Sequence, residues 1–330
     1  MAGIPALSRR GIIGTAALGW LAGPAVLRAQ TTRRLRLAHA LPRSHPVHGA
    51  IERFVSVVEE RTQGALAIDI FADGELGQEV QLFEQARLGR LDLVKASASV
   101  VERSIPAFQV LSLPFVLRDR DHWGRVMAGP IGEGILASLA PSGLVGLTFY
   151  DAGSRSFYGQ KPIDHPDALR GLRIRIQPSP TMVRLIRLLG AEPVQLPWDQ
   201  TFDALATGLV DGAENSVVAL VVGRHGQVVK YYCFDEHTMV PDVLLASARC
   251  WDGLSPEHRT VFREAAAVSY DHMNGLWSAF AAEARRKVEA MGVSFTQPDK
   301  APFVERAAPL MSEFGDNPVL TEFVSKIKAV

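Results

Sequence analysis

Cysteine is almost missing from this chain: two in 330 residues, Cys233 and Cys250. Two thiols exclude a disulfide-dense scaffold and a four-cysteine zinc site, so stability has to come from a core. Both cysteines stand in apolar surroundings, where two buried thiols are expected rather than a bridge. An excess of one charge is also lacking, since Lys and Arg number 35 and Asp and Glu number 35. No basic footprint for nucleic acid is present. Beyond residue 30 no apolar stretch reaches the roughly 18 residues of a membrane helix. Covalent and phosphate chemistry find no motif either: there is no Gly-x-Ser-x-Gly, no phosphate-cradling glycine loop followed by Lys-Ser/Thr, no dinucleotide fingerprint, no His-Glu-x-x-His and no Cys-x-x-Cys. These absences argue against an enzyme and against a bound cofactor.

What is present is a globular composition, 47% hydrophobic and 21% charged, in a chain whose length fits two domains. Its first residues differ from the rest. Arg9 and Arg10 precede the apolar run 11–27, with no acidic residue among them. That layout predicts an export signal over 1–29, of the twin-arginine type, and a periplasmic destination. Cleavage after Ala29 would remove Arg9, Arg10 and Arg28 and leave three more acids than bases.

Hydrophobic periodicity then predicts strands over 34–40, 65–71 and 91–97, with helices over 49–60 and 77–88 between them. The alternation points to an α/β lobe with a largely parallel sheet. A strand over 144–150 leads into the glycine-containing turn 151–154, a plausible crossing to a second lobe. There the pattern resumes, with strands over 172–176 and 192–196 and helices over 179–189 and 198–207. The longest element starts at Ser255-Pro256-Glu257, an N-cap, an N1 proline and an early acid, and runs to Met291. At 1.5 Å per residue it extends roughly 50 Å, enough to lie across both lobes. Gly275 falls mid-way, where a bend is possible.

Four segments carry candidate chemistry. His39, His45 and His48 form the best metal candidate, but their spacing matches no known site and no carboxylate falls among them; no metal is expected. Arg173 and Arg175 share one face of a predicted strand in an apolar run. Buried arginine is costly unless paired, so an acidic side chain or a ligand carboxylate should face them. The glycine-rich stretch 208–216 reads as a loop with an amide and two acids. Arg155 follows the crossing between lobes as a third cation.

Taken in order, these segments resemble the DctP-type solute-binding proteins of tripartite ATP-independent periplasmic (TRAP) transporters, over nearly the whole chain after the export signal. Leu37-Ala38-His39 with His45-Pro46, Gly74-Glu75-Leu76-Gly77, Leu88-Gly89-Arg90-Leu91-Asp92 and Leu113-Pro114-Phe115 occur as in that family. Gly171-Leu172-Arg173-Ile174-Arg175-Ile176-Gln177 matches its arginine strand and Asp211-Gly212-Ala213-Glu214-Asn215 its Asp-Gly-x-Glu-Asn segment. The resemblance implies that Arg175 pairs with the ligand carboxylate, that Asn215 faces the cleft and that Arg155 is a second cleft arginine. Trp198 corresponds to a cleft-lining position. Ser97 stands where sialic-acid binders carry an acid, and Ser216 where proline is common. Ser97, His45, Trp198 and Tyr158 are expected to decide which acid fits.

The implied fold is α/β, two-lobed, of the Venus-flytrap periplasmic binding protein type, with crossing hinge strands and a long C-terminal helix spanning both lobes. Lobe I is expected over 33–152 plus about 241–280, and lobe II over 153–240 plus about 281–330. The expected function is capture of a small organic carboxylate by a monomer and its delivery to the integral-membrane subunits of a TRAP transporter. The alternatives are presentation of ligand to a membrane sensor or, from another class, an exported enzyme.

Overall fold

A computed structural model describes Gly3 and residues 32–330; the expected export signal otherwise lies outside the described residues. The first strand, β1 (Arg33–Ala38), buries Leu35 and Leu37 and turns Arg34 and Arg36 outward, the alternation that a half-buried strand requires. It pairs in parallel with β2 (Leu66–Phe71) and with β3 (Leu93–Ser97). The chain then adds β4 (Leu144–Tyr150), β5 (Ser156–Gly159), β6 (Arg173–Ile176), β7 (Glu192–Gln195), β8 (Gly212–Asn215), β9 (Tyr231–Cys233), β10 (Asp242–Ser247) and β11 (Ser294–Thr296). Two sheets result. The first has the order β2-β1-β3-β10-β4 and the second β11-β9-β5-β8-β6-β7. In the first sheet β10 runs antiparallel to both of its neighbours.

The chain leaves the first sheet after β4, crosses through 151–155 into β5, and returns from β9 through 234–241 into β10. Arg155 on one crossing and Thr238 on the other form an isolated antiparallel bridge, with the Arg155 N–H donating to the Thr238 carbonyl at 2.7 Å. Asp151 fixes the first crossing, accepting from the Gly153 N–H at 2.7 Å and from Arg120 Nε at 2.6 Å. Gly153 has φ +74, and a Cβ there would come 2.6 Å from Trp277, so the crossing has no room for a side chain at this point.

Trp277 belongs to the helix Pro256–Ala290, 35 residues long. Ser255 caps it by accepting from the His258 N–H, Pro256 fills N1 and Glu257 favours its positive end. It packs on the helix Pro46–Arg61 of the first sheet and on the helix Val217–Val222, then leads into β11 of the second sheet. Gly275 lies inside it without interrupting it. The architecture is a two-lobed α/β fold braced by this helix.

Three expectations change. The stretch 208–216 is not only a loop: its second half is β8, between β5 and β6 in the second sheet. The first helix starts at Pro46, because His45 caps it and the proline occupies N1. Residues 198–207 form a 3₁₀ turn, Trp198–Gln200, that continues into the helix Thr201–Ala206. Cys233 and Cys250 are both buried and free, and burial pushes each thiol up to about 12. Among the described residues no helix is long and apolar enough to cross a membrane.

Candidate functional site

A narrow cavity, partly open to solvent, lies where the two sheets face each other, with a volume of about 40 Å³, room for only a few waters. His45, Ser97, Arg155, Trp198 and Asn215, five of the seven residues expected at a binding site, line it. The Ser97 hydroxyl, at the end of β3, donates across the gap to Gln177 Oε1 at 3.3 Å, just past β6. Arg175 and Tyr158 are not among the lining residues; both are buried in the second sheet.

Arg173 and Arg175 lie two apart on β6 and meet different fates. Arg173 is 40% exposed at its side chain and forms a bidentate pair with Asp211, from Nε at 3.0 Å and Nη2 at 2.8 Å. Arg175 is 1% exposed. Its Nε and Nη2 both donate to the Leu196 carbonyl, at 3.0 and 2.7 Å, and Nη1 has no partner among the described residues. Burial lowers its pKa, the mark of a guanidinium taken out of water without a carboxylate in contact. An unanswered cation of this kind favours an anion, and the planar fork suits a carboxylate.

Arg155 is buried too, but its charge is answered. Its Nε donates to Glu214 Oε2 at 2.5 Å and its Nη2 to Oε1 at 2.8 Å, while Nη1 reaches Asn215 Oδ1 at 3.2 Å. His237 extends the network. Its Nε2 stands 3.5 Å from Glu214, and its Nδ1 lies 2.7 Å from Asp235. Burial opposes a charge on His237, yet Asp235 and Glu214 together outweigh it and raise its pKa to about 9. Burial likewise works against ionised Glu214, but Arg155 and His237 hold its carboxyl at about 2.

The wall supplied by the first sheet carries a group that the sequence reading missed. Lys95, in the middle of β3 and 1% exposed, lies 2.6 Å from Glu79 Oε1 and 2.9 Å from Asp242 Oδ1; all three line the cavity. Burial disfavours the ammonium, but the two carboxylates more than compensate and raise its pKa. The available signal was a single lysine in the run Leu-Val-Lys-Ala-Ser, since a cation in a buried strand demands acidic partners. Sequence cannot say which acids answer it.

His45 contributes as a neutral imidazole. Burial, aided by Lys95, lowers its pKa to about 3, and its Nδ1 accepts the Val47 N–H at 3.2 Å as the helix cap. The proton therefore resides on Nε2, which leaves a donor at the cavity wall. His39 and His48 are spent on each other, Nε2 to Nδ1 at 3.0 Å. Among the described residues no group of three His, Cys, Asp or Glu side chains is arranged to hold a metal. Tyr158 acts one layer back: its hydroxyl bonds His225 Nδ1 at 2.8 Å, and the His225 ring lies 5.3 Å from that of Trp198. It thereby braces the indole that lines the cavity.

Comparison with known proteins gives the family. The chain is 35% identical to the uncharacterised protein YiiZ of Salmonella typhimurium, over 89% of this chain and 90% of that protein. The crystal structure of a TRAP periplasmic solute-binding protein from Xanthobacter autotrophicus with bound β-D-galacturonate superposes with a TM-score of 0.88 at 38% identity, covering 90% of this chain and 99% of that one. A second, from Anaerococcus prevotii with bound α/β-D-glucuronate, gives 0.88 at 34% identity, covering 90% and 98%. Residues 37–317 match the family described as bacterial extracellular solute-binding protein, family 7. With a matching two-lobed fold and a polar cavity between its sheets, the chain belongs to that family, the DctP-type solute-binding proteins of TRAP transport systems.

Proposed function

We propose that this protein is a periplasmic, non-enzymatic carrier that captures a sugar acid of the hexuronate class between its lobes and hands it to the membrane subunits of a TRAP transporter. The observation that carries this reading is Arg175, buried beside the cleft with an unpartnered Nη1 and no carboxylate in contact. The uronates bound by two similar structures, from Xanthobacter autotrophicus and Anaerococcus prevotii, supply the ligand class. A ligand carboxylate takes the open side of the Arg175 fork, Asn215 and the Nε2–H of His45 serve its other oxygens, and Trp198 presents an apolar face to the ring. The lobes divide at about 152/153, 240/241 and 280/281.

Loading proceeds by parting of the two sheets about the crossings at 151–155 and 234–241. Ligand that contacts both sheets favours the closed arrangement and shifts the equilibrium towards it. The test is thermal unfolding of the exported protein with D-glucuronate or D-galacturonate, with the corresponding amides as controls. At 100 times the dissociation constant a bound acid adds about 2.7 kcal/mol, a readily measured rise in melting temperature. Stabilisation by an amide equal to that by its acid would remove Arg175 from the role.

A further inference from the structure

The cleft has two unlike walls, and the difference bears on which acids it admits. On the second sheet, Arg155 is neutralised by Glu214 and His237 by Asp235, so the charge left over is that of Arg175. On the first sheet, two carboxylates, Glu79 and Asp242, hold one ammonium, Lys95. His45, beside them at the cavity, is neutral. One surplus positive charge therefore lies within the second sheet, at Arg175, and one surplus negative charge on the wall supplied by the first sheet. A single carboxylate on Arg175 satisfies the second sheet. Nothing on the first sheet offers a cation to another carboxylate.

We infer that Glu79, Lys95 and Asp242 form a hydroxyl-binding subsite that makes the protein selective for polyhydroxy monocarboxylates and excludes sugar acids with a carboxylate at both ends. This rests on the carboxylate reading of Arg175 above. An ammonium has three N–H donors, and two of those on Lys95 are taken by Glu79 Oε1 and Asp242 Oδ1. The third N–H, with the second oxygen of each carboxylate, gives one donor between two acceptors. A sugar hydroxyl accepts and donates at once, so neighbouring hydroxyls match that array. A carboxylate in the same place accepts only, and it would meet two acids whose shared cation is already committed. Like charges brought together in a desolvated site cost several kcal/mol, and specificity of this kind comes from repulsion as much as attraction.

The experiment is titration calorimetry of the exported protein with D-glucuronate, D-galacturonate and D-glucarate, which keeps the hydroxylated chain and adds a second carboxylate. The expected result is that D-glucarate binds roughly a hundredfold more weakly than the better uronate, in line with the cost of juxtaposed like charges. Glu79→Gln, which removes one negative charge and keeps the shape, should narrow that ratio about tenfold. D-glucarate binding as tightly as the uronates, or a ratio unmoved in a folded Glu79→Gln protein, overturns the inference while leaving the role of Arg175 intact. If Glu79→Gln does not fold, the wild-type ratio decides alone. Binding of none of the three acids overturns the carboxylate reading and this inference with it.

Discussion

The two walls of the cleft treat a buried cation in opposite ways. Lys95, on the first sheet, is enclosed by Glu79 and Asp242 and has no charge to spare. Arg175, on the second, is equally buried and has only the Leu196 carbonyl as partner, with its Nη1 left unpartnered. Burying a charge costs free energy in either case, and that cost is met by acids of the protein in one sheet and by no acid in contact in the other, which is the basis of the proposed ligand role. Arg155 clarifies the contrast because it lies on the same side as Arg175, beside the second sheet, yet resembles Lys95 in being paired with protein acid. A buried arginine that its own protein has already answered has no charge left over for a ligand.

The largest effect should come from breaking the paired side of this comparison. Glu214→Gln leaves Arg155 buried without its acid and is expected to cost about 3 to 5 kcal/mol of stability, measured by urea unfolding. A change under about 1 kcal/mol would mean that the Arg155 charge is not committed to Glu214, and the two arginines would then be alike. Next comes the open side. Arg175→Ala should weaken uronate binding by about 2 to 5 kcal/mol, roughly 30- to several-thousand-fold, with little loss of fold, since no protein acid loses its partner. Titration calorimetry checks this, and affinity equal to wild type would end the assignment.

The pH dependence sharpens the same contrast. The folded pKa of His237, about 9, lies above its ordinary 6.5. The native state therefore binds the proton more tightly, and the stability this gives is fully present below pH 6.5 and is lost as pH rises through 9. Unfolding free energy should fall by a few kcal/mol across that window, and His237→Gln should flatten the slope. An unchanged slope in His237→Gln would separate this histidine from the Arg155 network. The smallest effect serves as a control outside both walls. A Cβ at Gly275 meets nothing within 4 Å, so Gly275→Ala should stabilise the long helix by about 0.5 to 1 kcal/mol and leave uronate affinity untouched.

Local pattern carried much of this structure. The alternation in β1, the capped start of the long helix at Ser255 and the arginine strand β6 are short-range features, and each element formed within a few residues of its expected span. Where a local signal misled, a neighbour in space had intervened. Residues 212–215 carry glycine and polar side chains that suit a loop, yet β5 and β6 flank them and satisfy their backbone on both sides. β10 entered no sequence expectation, although pairing between β3 and β4 makes it the strand that joins the halves of the first sheet.

By itself the sequence determined the class of protein: an α/β chain in two parts, poor in cysteine, without the catalytic motifs sought, with its segments in the order of a DctP-type solute-binding protein. It also showed that Arg173 and Arg175, on a strand in an apolar run, would each need an answer to their charge; Lys95 went unremarked. Only the tertiary structure decided which received one. Asp211 answers Arg173, Glu214 answers Arg155, and Glu79 with Asp242 answer Lys95, while Arg175 is left open. Periodicity fixes which face of an element a side chain occupies, because that depends on neighbours along the chain. The partner of a buried charge depends on strand order and on which elements meet across the core, and no local pattern encodes that.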